Sequence, residues 1–327
     1  RGFDATFSAP KSVSVLWALS DDPWVRAEVL AAHDTAVVAA LDWFEEHGAV
    51  TRRGTDGVHQ VDTQGVTAAL FRQHTSRSID PQLHTHAIVA AKVQDPTGRW
   101  LALDARFLKR QQRAMGWLYA ASLRSELTAR LGLSWGPMDK GHADIDGVPA
   151  GLLELFSKRT AQVAAALAKR VARWVDEHDG AEPDARTIAR LERRAVLSSR
   201  PDKEAAIDAD TLRREWLGQA RAIGFVPASL PTATRRLPVR TDWDDEAVMT
   251  VALEQVSASS STWLHADLAR ELAALVPADA APSAGELVAL VDELAERAAS
   301  RCVELHPPAA ARARRREDRR PVSEHVT

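Results

Sequence analysis

Apolar and small polar residues alternate along residues 3–9 and again along 12–18, and this period of two predicts two strands turning at Ala9-Pro10-Lys11. Asp22-Pro23 then offers an N-cap followed by proline at the first helical position, and Val29, Leu30, His33, Val37, Leu41 and Phe44 recur at helical spacing as far as Gly48. The glycine-rich, polar stretch 51–61 predicts a loop or hairpin. Residues 65–73 and 83–93 read as buried strands, and Asp95-Pro96-Thr97-Gly98 as a turn. From Leu108 the period changes: Met115, Leu118, Leu123, Leu127 and Leu131 make one helical stripe, and an alanine-rich helix is predicted over 151–175. Further helices are predicted at 184–195, 208–222, 244–258, 264–275 and 284–303. The result is an α+β chain with its strands in the first third. The three prolines within 226–240 mark a linker. The expected organisation is one domain over 1–230, a linker at 231–243, a smaller helical segment at 244–305 and a charged tail at 306–327.

Composition narrows the picture by exclusion. Among 327 residues, 45% are hydrophobic and 27% charged, as in a globular protein. No apolar run is long enough to span a membrane. The first ten residues carry no secretory pattern, and a cytoplasmic protein is expected. Cys302 is the only cysteine, which removes internal disulfides and cysteine-based zinc sites. The net charge of −3 excludes a uniformly basic coat but not a local basic cleft. The sequence opens at Arg1, already in a strand pattern, and reads as a piece of something longer.

The sharpest chemistry is His84-Thr85-His86. On a strand, residues two apart share a face, so two imidazoles stand side by side as two arms of a metal site. Two exposed histidines on an edge strand would give the same spacing. The surrounding AIVAA run argues against that, because burying unpartnered rings is costly. Gln73 and His74 are both candidates for a third donor. They are consecutive, so only one can face the site from a strand; imidazole is the stronger ligand, and an amide oxygen suits Mg²⁺ or Mn²⁺. Asp4 lies mid-strand and could orient a bound imidazole, act as a base, or simply face water. Lys11, Arg72 and Arg77 are candidate phosphate contacts.

Residues 2–19 (GFDATFSAPKSVSVLWAL) and 71–93 (FRQHTSRSIDPQLHTHAIVAAKV) together resemble the relaxase domain of the MobF, or TrwC/TraI-type, conjugative relaxases, members of the HUH endonucleases. Residues 100–137, 148–163 and 261–273 extend the resemblance over most of the chain. It implies a two-layer α/β fold with an antiparallel sheet, followed by a smaller helical segment. It also implies a divalent metal, Mg²⁺ or Mn²⁺ with Zn²⁺ as a further option, that polarises a phosphate of single-stranded or hairpin DNA at an origin of transfer. His84 and His86 would be ligands, and Asp4 the acidic residue near the nucleophile. The family's third histidine falls two residues before Thr75, where this chain has Gln73; the offset to His84 favours Gln73, and a bulge would instead turn His74 inward. The family's tyrosine nucleophile lies upstream of the first strand. The only tyrosine here, Tyr119, sits on the helical stripe and is expected to pack. The sequence alone is therefore expected not to nick DNA. A helicase region of the same parent protein is an implied partner, while no phosphate-binding Gly-x-x-x-x-Gly-Lys-Ser/Thr loop occurs here.

From Arg106 to Arg130, six basic side chains stand against the single Glu126, a candidate DNA-facing stretch. Ten tryptophans offer stacking surfaces, with most of them expected in the core. Two other readings share these features: a metal-dependent hydrolase of amidohydrolase type, which would need a parallel barrel, and an inert DNA-binding module.

Overall fold

A computed structural model describes residues 1–57, 59–199, 208–227, 230–231, 242–305 and 324–326. Its sheet is antiparallel, in the order β1 (Gly2–Ser8), β5 (Pro81–Ala90), β4 (Ala68–Thr75), with β5 in the centre. Two small hairpins accompany it. One pairs β2 (Val50–Arg53) with β3 (His59–Asp62), and the other pairs β6 (Lys92–Gln94) with β7 (Trp100–Ala102). The antiparallel sheet rules out the parallel barrel that an amidohydrolase-type site needs.

The sheet alternates as a half-covered surface should. Leu83, Thr85, Ala87 and Val89 of β5 are buried, while Gln82, His84, His86 and Ile88 between them are partly open. The buried face packs on helices α1 (Lys11–Leu19), α2 (Pro23–Gly48) and α3 (Ala105–Leu131). Asp22 caps α2 by accepting from the Trp24 amide at 2.8 Å. Helix α3 ends at Gly132, whose φ of 65° is the left-handed conformation that glycine adopts freely.

Residues 11–19 form a helix, not the strand that the alternation predicted. Both classes of residue in the Ser-Val repeat are buried, so a period of two carries no facial information. Ser12 accepts from the Ile145 amide (2.8 Å) and Ser14 from the Leu83 amide (3.0 Å), which satisfies both hydroxyls inside the core. The alanine-rich stretch is also divided: α4 (Ala150–Leu155) and α5 (Lys158–Glu177) break at Phe156-Ser157. Helices α6 (Ala185–Ser198) and α7 (Ala209–Ala222) follow close to their predicted positions.

Most of the predicted linker and all of the tail before residue 324 lie outside the described residues. Helices α9 (His265–Leu275) and α10 (Ala284–Ala299) lie on α3, α10 also meets α2, α8 (Asp245–Ser259) packs on α9 and α10, and one buried cluster runs from Phe7 to Ala299. Polar ties cross the junction. Glu126 accepts from the Ala284 amide at the start of α10 (2.8 Å), and Arg124 donates to the Ala273 carbonyl (2.9 Å).

The basic stretch of α3 is partly engaged within the fold, while Lys109, Arg110 and Arg113 stay exposed. Arg124 is buried, Arg130 pairs with Glu28 and Glu126, and Arg106 pairs with Asp104. Tyr119 packs, as its place on the stripe predicted.

Candidate metal centre

Strand β5 carries the centre. His84 and His86 project from its open face, their ring centroids 5.2 Å apart with planes at 74°. Across the sheet, His86 pairs with Thr6 and Phe71, and His84 with Ser8 and Gln73. Directly opposed residues share a face, so Gln73, Phe71, Thr6 and Ser8 surround the two rings.

The hydrogen bonds select the nitrogens. His84 Nδ1 donates to the Gln82 carbonyl at 2.9 Å, and His86 Nδ1 lies 3.0 Å from both carboxylate oxygens of Asp4. With Nδ1 protonated and held, each neutral ring keeps its lone pair on Nε2, the arrangement that orients metal-binding imidazoles. Burial lowers the pKa of His84, and the neighbouring His86 adds to this, which keeps the ring unprotonated at neutral pH. Thr6 Oγ1 contacts both Asp4 (3.3 Å) and His86 Nδ1 (3.1 Å) and fixes the pair. The donor set fits a divalent cation held by two nitrogens and an amide oxygen.

Gln73 and His74 part company. Gln73 lies straight across from His84, while the register slips at the next residue, where Gln82 and Leu83 of β5 together oppose the single His74. His74 stacks on Trp17 of α1 (4.7 Å, 14°), toward the helices. Its Nε2 is buried without a hydrogen-bond partner among the described residues, and burial lowers its pKa.

Two of the three candidate phosphate contacts are committed to the fold. Lys11 donates to the Pro81 carbonyl at 2.8 Å, with burial lowering its pKa to about 8. Arg72 shares the helix-side face with Thr85 and pairs with Asp34 on α2. Arg77 is exposed in the turn before β5.

Beneath the sheet, His33 of α2 bridges Thr85 Oγ1 and Tyr119 Oη, each at 2.8 Å. Burial pushes the His33 pKa down to about 3 and that of Tyr119 well above its usual value. Sequence reasoning missed this support, and it missed Phe71, which is 56% exposed beside His86. An aromatic side chain left open on a strand next to two histidines was the available signal for Phe71.

Comparison with known proteins bears on what this centre serves. The TrwC relaxase family matches residues 1–223. The multifunctional conjugation protein TraI of Escherichia coli (strain K12) is 32% identical over 252 residues, which cover 73% of this chain and 13% of TraI. The chain thus spans about 13% of the length of the curated relatives it matches. Among solved structures, conjugative relaxase TrwC complexed with a 27-mer DNA comprising the recognition hairpin and the cleavage site superposes with a TM-score of 0.57 at 32% identity, covering 69% of this chain and 75% of that one. A metal-bound TrwC–OriT DNA structure gives 0.56 at 32% identity, covering 68% and 71%.

Proposed function

The chain belongs to the TrwC relaxase family, and from that membership we propose that it is the metal- and DNA-binding body of a conjugative relaxase, which nicks one strand of plasmid DNA at an origin of transfer and transfers it. The observation that carries this reading is the pair His84 and His86. Both rings present Nε2 on an open face, and both Nδ1 atoms are held from behind. An inert DNA-binding module has no need of two imidazoles oriented in this way.

Gln73 Oε1, His84 Nε2 and His86 Nε2 would hold the cation. The oxygen donor favours Mg²⁺ or Mn²⁺, and the two imidazoles also accept Zn²⁺. When bound, the cation supplies the positive charge that polarises a phosphodiester and offsets charge developing on it. Asp4 keeps His86 in the tautomer with a free Nε2. Phe71 offers its open ring as a stacking platform for an unpaired base next to the scissile phosphate. Arg77 contacts the backbone, whereas Lys11 and Arg72 serve the fold.

Tyr119 is not the nucleophile, because it is buried under the sheet with its hydroxyl bound to His33. The attacking tyrosine is supplied from outside these residues, and the helicase motor belongs to the same parent protein. The reaction takes place in the cytoplasm.

Selection from a randomised single-stranded DNA pool tests this reading. It should enrich a hairpin with an adjoining single strand, bound with steep salt dependence. Calorimetry should show that His84→Ala/His86→Ala loses one of the equivalents of Mn²⁺ bound by the wild type. A pool that enriches duplex, or a covalent protein–DNA product formed by this chain alone, contradicts it.

A further inference from the structure

Away from the sheet, three side chains from three helices converge where α2 meets α9 and α10. His47 Nε2 lies 3.3 Å from Asp292 Oδ2, and His265 Nε2 lies 3.8 Å from Asp292 Oδ1. The three ligand atoms fall within 4.8 Å of one another, and each side chain is only about one-fifth exposed, at 20–22%. Tetrahedral zinc with nitrogen ligands at ~2.0–2.1 Å places neighbouring donors roughly 3.3 Å apart, close to the His47–Asp292 separation.

The hydrogen bonds behind the cluster matter more than its size. His47 Nδ1 donates to the Trp43 carbonyl at 3.0 Å, so a neutral His47 points a bare Nε2 lone pair at a carboxylate oxygen. That contact is repulsive unless a proton or a metal cation lies between the two atoms. Trp43 Nε1 donates to Asp292 Oδ1 at 2.9 Å and fixes the carboxylate, as outer partners of metal sites do. The other charges acting on Asp292 are those of Glu46 and Glu296, so the surroundings are anionic and favour a doubly charged ion. His47 stacks on Trp43 (4.7 Å, 16°), which holds its ring in place, and the His265 ring lies parallel to it at 5.1 Å.

We propose that His47, His265 and Asp292 form a second divalent-cation site, suited to a zinc-class ion, that clasps α9 and α10 to α2. The donors are two imidazoles and one carboxylate, with a fourth position for water. Such an ion would fasten the C-terminal helices to the helix that supports the sheet. Its anionic carboxylate sets it apart from the Gln73 set, whose oxygen donor is a neutral amide, and it shares no residue with that set.

The test loads the full chain with Co²⁺, and separately with Zn²⁺, in the His84→Ala/His86→Ala background. One equivalent of Co²⁺ should bind with a visible absorption band, and Zn²⁺ at a hundredfold excess over Kd should raise the Tm by roughly 5 °C. Asp292→Asn and His265→Gln should each abolish both effects. His265→Gln lies at the first turn of α9 and keeps the test valid should Asp292→Asn fold poorly. No Co²⁺ uptake in the background protein, or uptake that survives in folded His265→Gln, overturns the proposal. In the wild-type chain two equivalents should fall to one in His265→Gln. A wild-type chain that binds one equivalent in all, and none in His265→Gln, would preserve this site while counting against the first one, so the two readings fail separately.

Discussion

Thr85 Oγ1 lies 2.8 Å from His33 Nε2, so the residue between the two proposed ligands is tied through the sheet to the helix beneath it. His33 in turn meets the Tyr119 hydroxyl, also at 2.8 Å, and all three groups are buried. The chain of bonds fixes how far β5 can shift or rotate against α2 and α3. Thr85→Val keeps the shape and removes the hydroxyl, leaving one ring nitrogen unsatisfied. Urea unfolding should show a loss of about 1–3 kcal/mol, accompanied by weaker Mn²⁺ binding at His84 and His86. Unchanged stability would mean that the bridge contributes nothing.

The same histidine gives the fold an acid-sensitive element. His33 titrates near 6.5 when unfolded and at about 3 when folded, chiefly through burial. Below pH 6.5 the unfolded chain takes up a proton that the folded chain refuses. The contribution of His33 is therefore complete above pH 6.5 and declines as pH falls toward 3. By pH 5 the decline amounts to about 2 kcal/mol. Stability measured between pH 7 and 5 should fall less steeply in His33→Gln than in the wild type, and parallel slopes would remove His33 from the account.

Gln73 and His74 make opposite predictions. Gln73→His places a third imidazole directly across from His84 and should raise Zn²⁺ or Ni²⁺ affinity roughly tenfold or more, because imidazole suits these ions better than an amide oxygen. His74→Gln should leave metal affinity unchanged and cost about 1 kcal/mol through the lost stacking on Trp17. Isothermal titration of both variants decides between them. Affinity lost in His74→Gln would show that the buried Nε2 of His74 reaches the cation.

How much of this was legible in the sequence depended on distance along the chain. His84 and His86 share a face because they are two apart on a strand, which a pattern can reveal, and the helices from α6 to α10 were visible from their apolar period. Helix α1 was not, because a segment buried on all sides has no face for its pattern to mark. Arg124 and Arg130 of α3 counted toward a DNA patch because sequence counts charges without their partners, and Glu28 and the Ala273 carbonyl come from other elements. His33, Thr85 and Tyr119 meet only through the tertiary fold, as do His47, His265 and Asp292. Nothing local distinguishes any of them from ordinary core or surface residues.

Asp4 is the outer partner whose removal should be felt most at the centre. Its two oxygens hold His86 Nδ1 at 3.0 Å. Asp4→Asn keeps an acceptor but loses the charge that strengthens the ring as a donor. Metal affinity should fall roughly 10- to 100-fold, with single-stranded DNA binding measured without metal little changed. A parallel loss of both would mean that Asp4 supports the strand and not the ligand.

The turn leading into β5 offers a further handle. Asp80 is fully buried, and its Oδ2 accepts from the Lys158 amide at 3.0 Å while Oδ1 lies 3.2 Å from Lys158 Nζ. Ser157, at the N-cap of α5, makes no capping bond with its own side chain, so Asp80 performs this role from across the fold. The chain reaches Asp80 through Ile79, held at a φ of 58° that a β-branched residue rarely adopts, with its carbonyl accepting from Trp216 Nε1 at 2.7 Å. Helix α5 itself has no buried residue; Ser78 bonds its Gln162 at 3.2 Å, Gln219 accepts from Lys158 Nζ at 2.9 Å, and Arg159 and Arg170 donate to Val196, Ser198 and Ser199 at the end of α6. Asp80→Ala should therefore cost about 1–3 kcal/mol and, more specifically, speed amide hydrogen exchange in α5 and the 76–80 turn while α2 and α3 stay protected. Exchange that rises equally in all helices would show a global loss of stability and not the release of α5.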